Sequence, residues 1–453
     1  MLVTPDIKLV KTLNNKLYKF IESLESILQV SDPSFKKYFE TVLDSYLNQL
    51  KFDVEDRLAR IFSRPDSFQI DSLYIDQPLL KCTLDTYKLI SELQKDSFLI
   101  SSRQNDFNKL VSRCLTKYID QITLKYQDCC TNQREVSFSS NLAKTKEINN
   151  ILSDHSMLQQ TLDAELNSLL SEKEILLISE IKLDRSLHVS EIIFDYKRIR
   201  RLCEMQISSK WLVHQLEQEP RNVITNTKHQ TAASNKNFAS MNANIKTVNR
   251  CLEIDELLFR IKDLQRVFLF TVRLEVRVHL IYYLDLVLRE GSFCLTPDAD
   301  IQPDAYALTL NLDLIKIQII TSEALSKLDS FFIFDGISQT IAFLLINNLR
   351  YVRQINSRGC QKLLKTFQAL QQNTINLCTL HESRLDDALR YYRMLTLDSK
   401  QFLEECQLKV FSEQEIKLLV NLMTDESMKE EEKLVRDTRR HSLLSEIEKI
   451  YRK

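Results

Sequence analysis

Glycine is almost missing from this sequence: 3 residues in 453, beside 7 prolines and a single tryptophan. An average chain carries roughly 7% glycine. So few residues able to take positive φ leave little room for tight hairpins or close backbone approaches. The glycines at 291, 336 and 359 cannot form the common phosphate-cradling loops, which need several glycines at set spacing so that backbone N–H groups reach the anion. Net charge is also missing: 61 Lys+Arg against 62 Asp+Glu give −1, which offers no general attraction to nucleic acid. The ten cysteines include no C-x-x-C pair and read as reduced thiols of a cytosolic protein, many on apolar helix faces. No H-E-x-x-H occurs; His381-Glu382 is followed by serine and arginine, so a second metal ligand is lacking. Asp386-Asp387 are consecutive helical residues that do not face each other, which fits a solvated face better than an acid/base pair. The first thirty residues read as an amphipathic helix with charges throughout, not as a signal peptide. These readings predict no enzyme site, no cofactor and no metal.

What fills the space is leucine, lysine, glutamate and glutamine, all strong helix formers. With 44% apolar residues the chain can bury large cores. Composition therefore predicts an all-α fold, and the periodicity agrees. Thr4-Pro5-Asp6 reads as a helix start, followed by Val10, Leu13, Leu17, Phe20, Leu24 and Ile27 at spacings of three and four. Phe39, Leu43, Tyr46 and Leu50 form a second stripe after Asp32-Pro33. Phe107, Val111, Cys114 and Tyr118 form a third, and Leu158, Leu162, Leu166 and Leu169 a fourth. The polar connection at 131–140 is expected to be loose. Residues 221–250 hold seven asparagines and few large apolar side chains; they read as a flexible linker or long loop. Helices are then expected at 254–289, 310–328, 337–356, 361–377, 382–407 and 413–422. Ala342 to Ile346 is apolar on every side and should sit inside a bundle. The predicted organisation is an N-terminal helical bundle or bundles (1–220), the Asn-rich linker (221–250), a C-terminal helical bundle or bundles (251–423) and a charged, solvated helical tail (424–453).

Val267 to Leu288 resembles a membrane span in length, but it contains Arg273, Glu275, Arg277, His279 and Asp285. Five polar or ionisable groups would be very costly in lipid. A long helix packed among others is the better reading, so no transmembrane segment is expected. The densest basic cluster is Lys197, Arg198, Arg200 and Arg201. It reads either as a contact for acidic lipid or an acidic partner, or as a solvated face balanced by Glu191 and Asp195. Long amphipathic helices packed into rods present large surfaces and few pockets, which suits binding other helices. The residues themselves lead as far as a helical scaffold or adaptor.

Several blocks go further. Leu274 to His279, then Tyr283-Leu284 and Glu290-Gly291, are similar to the long helix of the exocyst complex component 4 family and its end. Ile333-Phe334-Asp335-Gly336 resembles a turn of that family. Leu345-Ile346-Asn347, Tyr351, Arg353, Ile355 and Gly359 follow at its spacing. Leu370-Gln371-Gln372-Asn373 with Asn376, and Ala388, Tyr391, Tyr392, Met394 and Leu395, are close matches. Weaker echoes are Gln77-Pro78-Leu79-Leu80 with Thr83, and Met205, Ser208, Trp211 and Leu212. The resemblance is strong from about 267 to 403 and points to the C-terminal half of the family pattern. It implies tandem helical bundles forming an elongated rod, as in multisubunit tethering complexes. It further implies a non-enzymatic exocyst subunit, cytoplasmic and peripheral to the plasma membrane, that helps hold secretory vesicles before SNARE-dependent fusion. Implied partners are the other exocyst subunits, with small GTPases and phosphoinositides engaged mainly through the assembled complex, and SNARE proteins. The chain begins near the middle of the family pattern, as a fragment or short form would. Its terminus, Tyr451-Arg452-Lys453, is not the hydrophobic PDZ ligand of some animal members. The alternatives are another helical-rod tether (Golgi or endosomal), a general adaptor, or a helical enzyme with an unrecognised pocket.

Overall fold

The computed structural model describes residues 33–71, 77–100, 103–132, 135–143, 186–230, 252–377, 384–423 and 430–452. Among them the chain is all-α, as composition predicts. The exceptions are a two-stranded hairpin, β1 (Thr131–Asn132) with β2 (Glu135–Val136), and an isolated bridge between Ile70 and Leu80. The stripes expected at 10–27 and 158–169 lie outside the described residues, as does 231–250 of the expected linker.

Two compact units divide the chain discontinuously: 1–129 with 201–268, and 130–200 with 269–453. None of the three junctions, at 129–130, 200–201 and 268–269, falls in the Asn-rich stretch. A helix, α5 (Tyr196–Gln230), continues through its first ten positions, because asparagine and threonine disfavour a helix only by fractions of a kcal/mol each.

In the first unit, α1 (Pro33–Ser63) buries Leu43, Tyr46, Leu50, Val54, Leu58 and Ile61 at helical spacing. It packs on α2 (Lys81–Leu99). α3 (Gln104–Cys130) buries the expected stripe of Phe107, Val111, Cys114 and Tyr118. The remainder of α5 and the start of α6 (Leu252–Glu290) complete this core with Leu202, Leu212, Leu216, Leu257 and Ile261. Trp211 is half-buried, its ring edge-on to Tyr87 at 5.1 Å.

In the second unit the central element is the rest of α6. Every residue from Phe270 to Ile281 is buried, so this stretch is enclosed around its whole circumference. The unit's other helices are the short α4 (Phe138–Leu142), α7 (Ala305–Ala324), α8 (Lys327–Phe334), α9 (Ile337–Asn348), α10 (Ser357–Leu377), α11 (Arg384–Arg393), α12 (Ser399–Gln407), α13 (Glu413–Met423) and α14 (Glu430–Arg452). α9 packs on α11 and α7 on α10. The Tyr392 hydroxyl of α11 donates to the Leu345 carbonyl of α9 at 2.7 Å, and its ring meets Phe367 edge-on at 4.4 Å. Of the apolar stretch 342–346, Ala342, Leu344 and Leu345 are buried and Phe343 and Ile346 half-buried, so it lies inside on most but not all sides.

Several expected boundaries shift, each for a local reason. The single helix expected at 382–407 is two, because Asp398 accepts hydrogen bonds from the backbone N–H of Lys400 and Gln401 and starts α12 afresh. α7 begins five residues early, where Asp304 caps it through the N–H of Tyr306. The tail is helical over 430–452 but is docked on α12 and α13, burying Leu443 and Ile447 four residues apart on one face. Lys327–Tyr351 has the length and hydropathy of a membrane span. It is broken between α8 and α9 at Gly336, which takes φ 74°, and 67% of its most apolar window is buried. The third glycine answers a different need. A Cβ on Gly359 would stand 1.7 Å from the carbonyl oxygen of Phe293, so only glycine lets α10 approach the 291–304 crossover. Asn356 ties the same junction, bonding both the N–H and C=O of Leu295.

Candidate functional site

The ionisable residues of α6 that sequence singles out occupy the centre of the second unit. Residues 273, 275, 277 and 279 alternate with Val272, Leu274, Val276 and Val278. On a helix such alternation sends successive polar groups about 200° apart. Arg273 and Arg277, four residues apart, therefore share one side, and Glu275 and His279 share the other.

On the first side both arginines reach the C-terminal end of α8. Arg273 donates to the Phe332 carbonyl and stacks its guanidinium 4.6 Å from that ring's centroid. Arg277 donates to the carbonyls of Ile333 and Asp335. The last carbonyls of a helix have no intrahelical donor and carry the negative end of its dipole, so two buried cations satisfy them both sterically and electrostatically.

On the other side, Glu275 accepts from the Ser139 hydroxyl and, at 2.7 Å, from the backbone N–H of Ile193. His279 Nδ1 bonds Asp313 of α7, and its Nε2 lies 3.4 Å from Glu275, an ion-pair contact. Tyr196 donates to the second oxygen of Asp313. Burial opposes the charged imidazole, but the two carboxylates outweigh it and raise the His279 pKa to about 9. Burial likewise works against the Asp313 carboxylate, yet His279 and Tyr196 hold its pKa below the usual value. Lower on α6, Asp285 accepts from Ser186 at 2.8 Å and from Arg289 at 2.9 Å, and the Arg289 guanidinium lies 3.4 Å over the Tyr351 ring.

This array differs from the sequence expectation in one respect. The connection at 131–140, expected to be loose, carries β1, β2 and α4, with Ser137, Ser139 and Ser140 fully buried. Its polarity serves Glu275 instead of solvent. Asp313, Ser139 and Ser186 escape notice in the sequence. Only Asp313 leaves a trace, as a carboxylate on the otherwise apolar stripe of Leu310, Leu314 and Ile317.

The basic cluster is divided among partners. Arg198 donates to the Thr131 carbonyl at 2.6 Å and lies 3.7 Å from Asp195. Arg200 pairs with Glu323. Arg201 lies 3.5 Å from Glu204, which is buried. Lys197 is exposed, and among the described residues it has no ion-pair partner. Asp386 is exposed on α11 and accepts from Gln371. Of the eight described cysteines seven are buried and Cys294 is exposed. Among the described residues no group of three or more His, Cys, Asp or Glu is placed to hold a metal.

In the first unit a cleft of about 600 Å³ lies between α1, α3 and the start of α6. Glu55 and Arg113 pair across it at 2.9 Å, while Lys117 and Asp120 face solvent. Its charges are thus matched or hydrated, not converged on a reacting centre.

No family model matches the chain. Its curated relatives include exocyst complex component 4 of Homo sapiens, 23% identical over 417 residues, covering 86% of this chain and 42% of the relative. The Dictyostelium discoideum protein of the same name is 23% identical, covering 84% of this chain and 37% of itself. The probable exocyst complex component sec8 of Neurospora crassa is 24% identical, covering 79% and 35%. Among solved structures, the C-terminal domain of the exocyst subunit Sec6p aligns over 93% of this chain and 94% of its own at 9% identity, with a TM-score of 0.41. The chain spans about two fifths of the length of the curated relatives it matches. Over most of its own length, this chain is homologous to proteins named exocyst complex component 4.

Proposed function

We propose that this chain is a subunit of the exocyst, acting as a non-enzymatic helical scaffold in the tethering of secretory vesicles to the plasma membrane before SNARE-dependent fusion. The observation that carries the reading is the match to exocyst complex component 4 proteins over 79–86% of the chain in animal, amoebal and fungal relatives. The chemistry of the interior supports it. Arg273, Glu275, Arg277 and His279 of α6 are enclosed and paired with the carbonyls at the end of α8 or with carboxylates, an arrangement that fixes helix packing. Its partners on this reading are the other exocyst subunits and SNARE proteins, with small GTPases and phosphoinositides engaged mainly through the assembled complex. It works in the cytoplasm, at the plasma membrane.

Affinity purification of the tagged chain from cells, with mass spectrometry of what accompanies it, tests the assignment. Recovery of the remaining exocyst subunits is the expected result. Recovery of Golgi or endosomal tether subunits in their place would transfer the chain to another helical-rod complex.

A further inference from the structure

α7 is apolar on two opposite faces. Ala307, Leu310, Leu314 and Ile317 point into the second unit's core. Leu308, Leu312, Ile315 and Ile319 point away from it, and they are 44%, 61%, 38% and 50% exposed. The outer four fall at spacings of four, three and four, the a/d seam of a coiled coil. Single exposed leucines are ordinary; four large aliphatics in register along nearly three turns are an unpartnered seam.

The flank of that seam carries charge. The first turn of α5 lies against α7: the Tyr196 hydroxyl reaches Asp313, and Lys316 of α7 stands 5.3 Å over the Tyr196 ring. Arg200 reaches Glu323 one turn on. Lys197, exposed and without an ion-pair partner among the described residues, follows Tyr196 directly in the same turn of α5. With Asp195 at the start of α5 taken up by Arg198 at 3.7 Å, Lys197, Arg200 and Lys316 against Glu323 leave this edge net positive, while the seam's remaining flanking positions, Thr309, Asn311 and Gln318, are neutral.

From this juxtaposition we infer that α7 is the docking seam for an amphipathic α-helix of another polypeptide, one with apolar residues at a and d and acidic residues along the flank facing Lys197 and Lys316. The inference rests on the reading of the chain as a subunit of a larger assembly and specifies a surface through which it is held. The seam is two positions wide, and the one aromatic ring at its edge, Tyr196, is tied down by Asp313 and covered by Lys316. Helices that lie in a membrane surface carry broader apolar faces, more basic polar faces and aromatic anchors. Charge complementarity selects the acidic partner and rejects a basic one.

The test uses the full chain and two synthetic three-heptad helices with leucine at a and d, one with glutamate at e and g, the other with lysine. Like charges at e and g keep each peptide from pairing with itself. The acidic helix should bind, more weakly as salt rises. Leu312→Asp with Ile315→Asp should weaken binding by about tenfold or more, and Lys197→Glu with Lys316→Glu by about threefold or more, with binding gained by the lysine helix. Should the aspartate pair lose its circular dichroism, Leu312→Ala with Ile315→Ala replaces it. Equal binding of both helices, or of neither, overturns the inference. So does self-association of the wild type that the apolar pair abolishes, or co-sedimentation with phosphatidylserine vesicles that it abolishes. The two proposals separate in cells. If the wild type recovers exocyst subunits and the apolar pair recovers the same set undiminished, the seam is wrong and the assembly stands. If the wild type recovers none, the assembly reading fails while the peptide measurement still judges the seam.

Discussion

The two units meet the same problem, polar groups inside a helical core, with largely different chemistry, although the first also buries Glu204 against Arg201. In the first, a neutral chain of hydroxyls runs through the core: Thr83 to Tyr118 at 3.1 Å, Tyr118 to Ser209 at 3.1 Å, and Ser208 accepting from the Leu80 N–H at 2.9 Å. In the second, the groups are ionic: Arg273, Arg277 and His279 against α8 carbonyls, Glu275 and Asp313. A hydroxyl chain is inexpensive to bury and modest in strength. An enclosed ion pair costs much to desolvate, so it contributes little to net stability when intact but a great deal is lost when one partner goes. The ionic core should therefore be the brittle one, and it alone should respond to pH near neutrality.

The largest effect that would test this contrast comes from Glu275→Gln. The amide keeps the shape but removes the charge facing His279 and cannot accept at both oxygens from Ser139 and Ile193. The expected loss is about 3–5 kcal/mol, confined to second-unit amides when followed by hydrogen exchange during urea unfolding. A loss under about 1 kcal/mol would mean that Glu275 is dispensable and would erase the contrast.

The next effect is a pH dependence. His279 has a folded pKa of about 9 against an unfolded value near 6.5. A group raised on folding stabilises fully below its unfolded pKa, and that contribution is lost as pH rises through the folded value. Second-unit stability should fall by on the order of 2–3 kcal/mol between pH 6.5 and 9.5, and His279→Gln should flatten the curve. In acid, Asp313 acts in the opposite sense, its contribution disappearing as pH falls below the usual carboxylate range. In the first unit, burial pushes Cys82 and Cys114 up to about 12 and Tyr118 higher still. Its hydroxyl chain should thus show no such slope.

The contrast also explains what the sequence could reveal. Charges inside an apolar helix are conspicuous: Arg273, Glu275, Arg277, His279 and Asp285 were enough to reject a membrane span and predict a packed helix. Their partners were not legible, because Ser139 lies 136 residues from Glu275 in the chain and looks like loop polarity. The unit boundaries were hidden for the same reason. Composition changes most at 221–250, whereas the units exchange segments at 129–130, 200–201 and 268–269, inside helices with no compositional break. The exposed seam on α7 left its mark as a helix apolar on both sides, and only the fold says which side is covered.

In the neutral core Ser208→Ala should cost about 1–2 kcal/mol, because the Leu80 N–H at the start of α2 loses its acceptor in a buried place.

Tyr118→Phe should cost the least, about 1 kcal/mol. The ring stays, so packing against its neighbours is unchanged, and only the hydroxyl that bridges Thr83 and Ser209 is removed. Both remaining hydroxyls can rotate toward other acceptors, since Ser and Thr on a helix commonly bond the carbonyl one turn back. That freedom is what the second unit lacks, where Glu275 and His279 are fixed charges that cannot turn away from one another's absence. If Tyr118→Phe cost as much as Glu275→Gln, or if its cost varied between pH 6.5 and 9.5, the difference between the cores would not lie in their charge. The explanation would then shift to how tightly each core is packed.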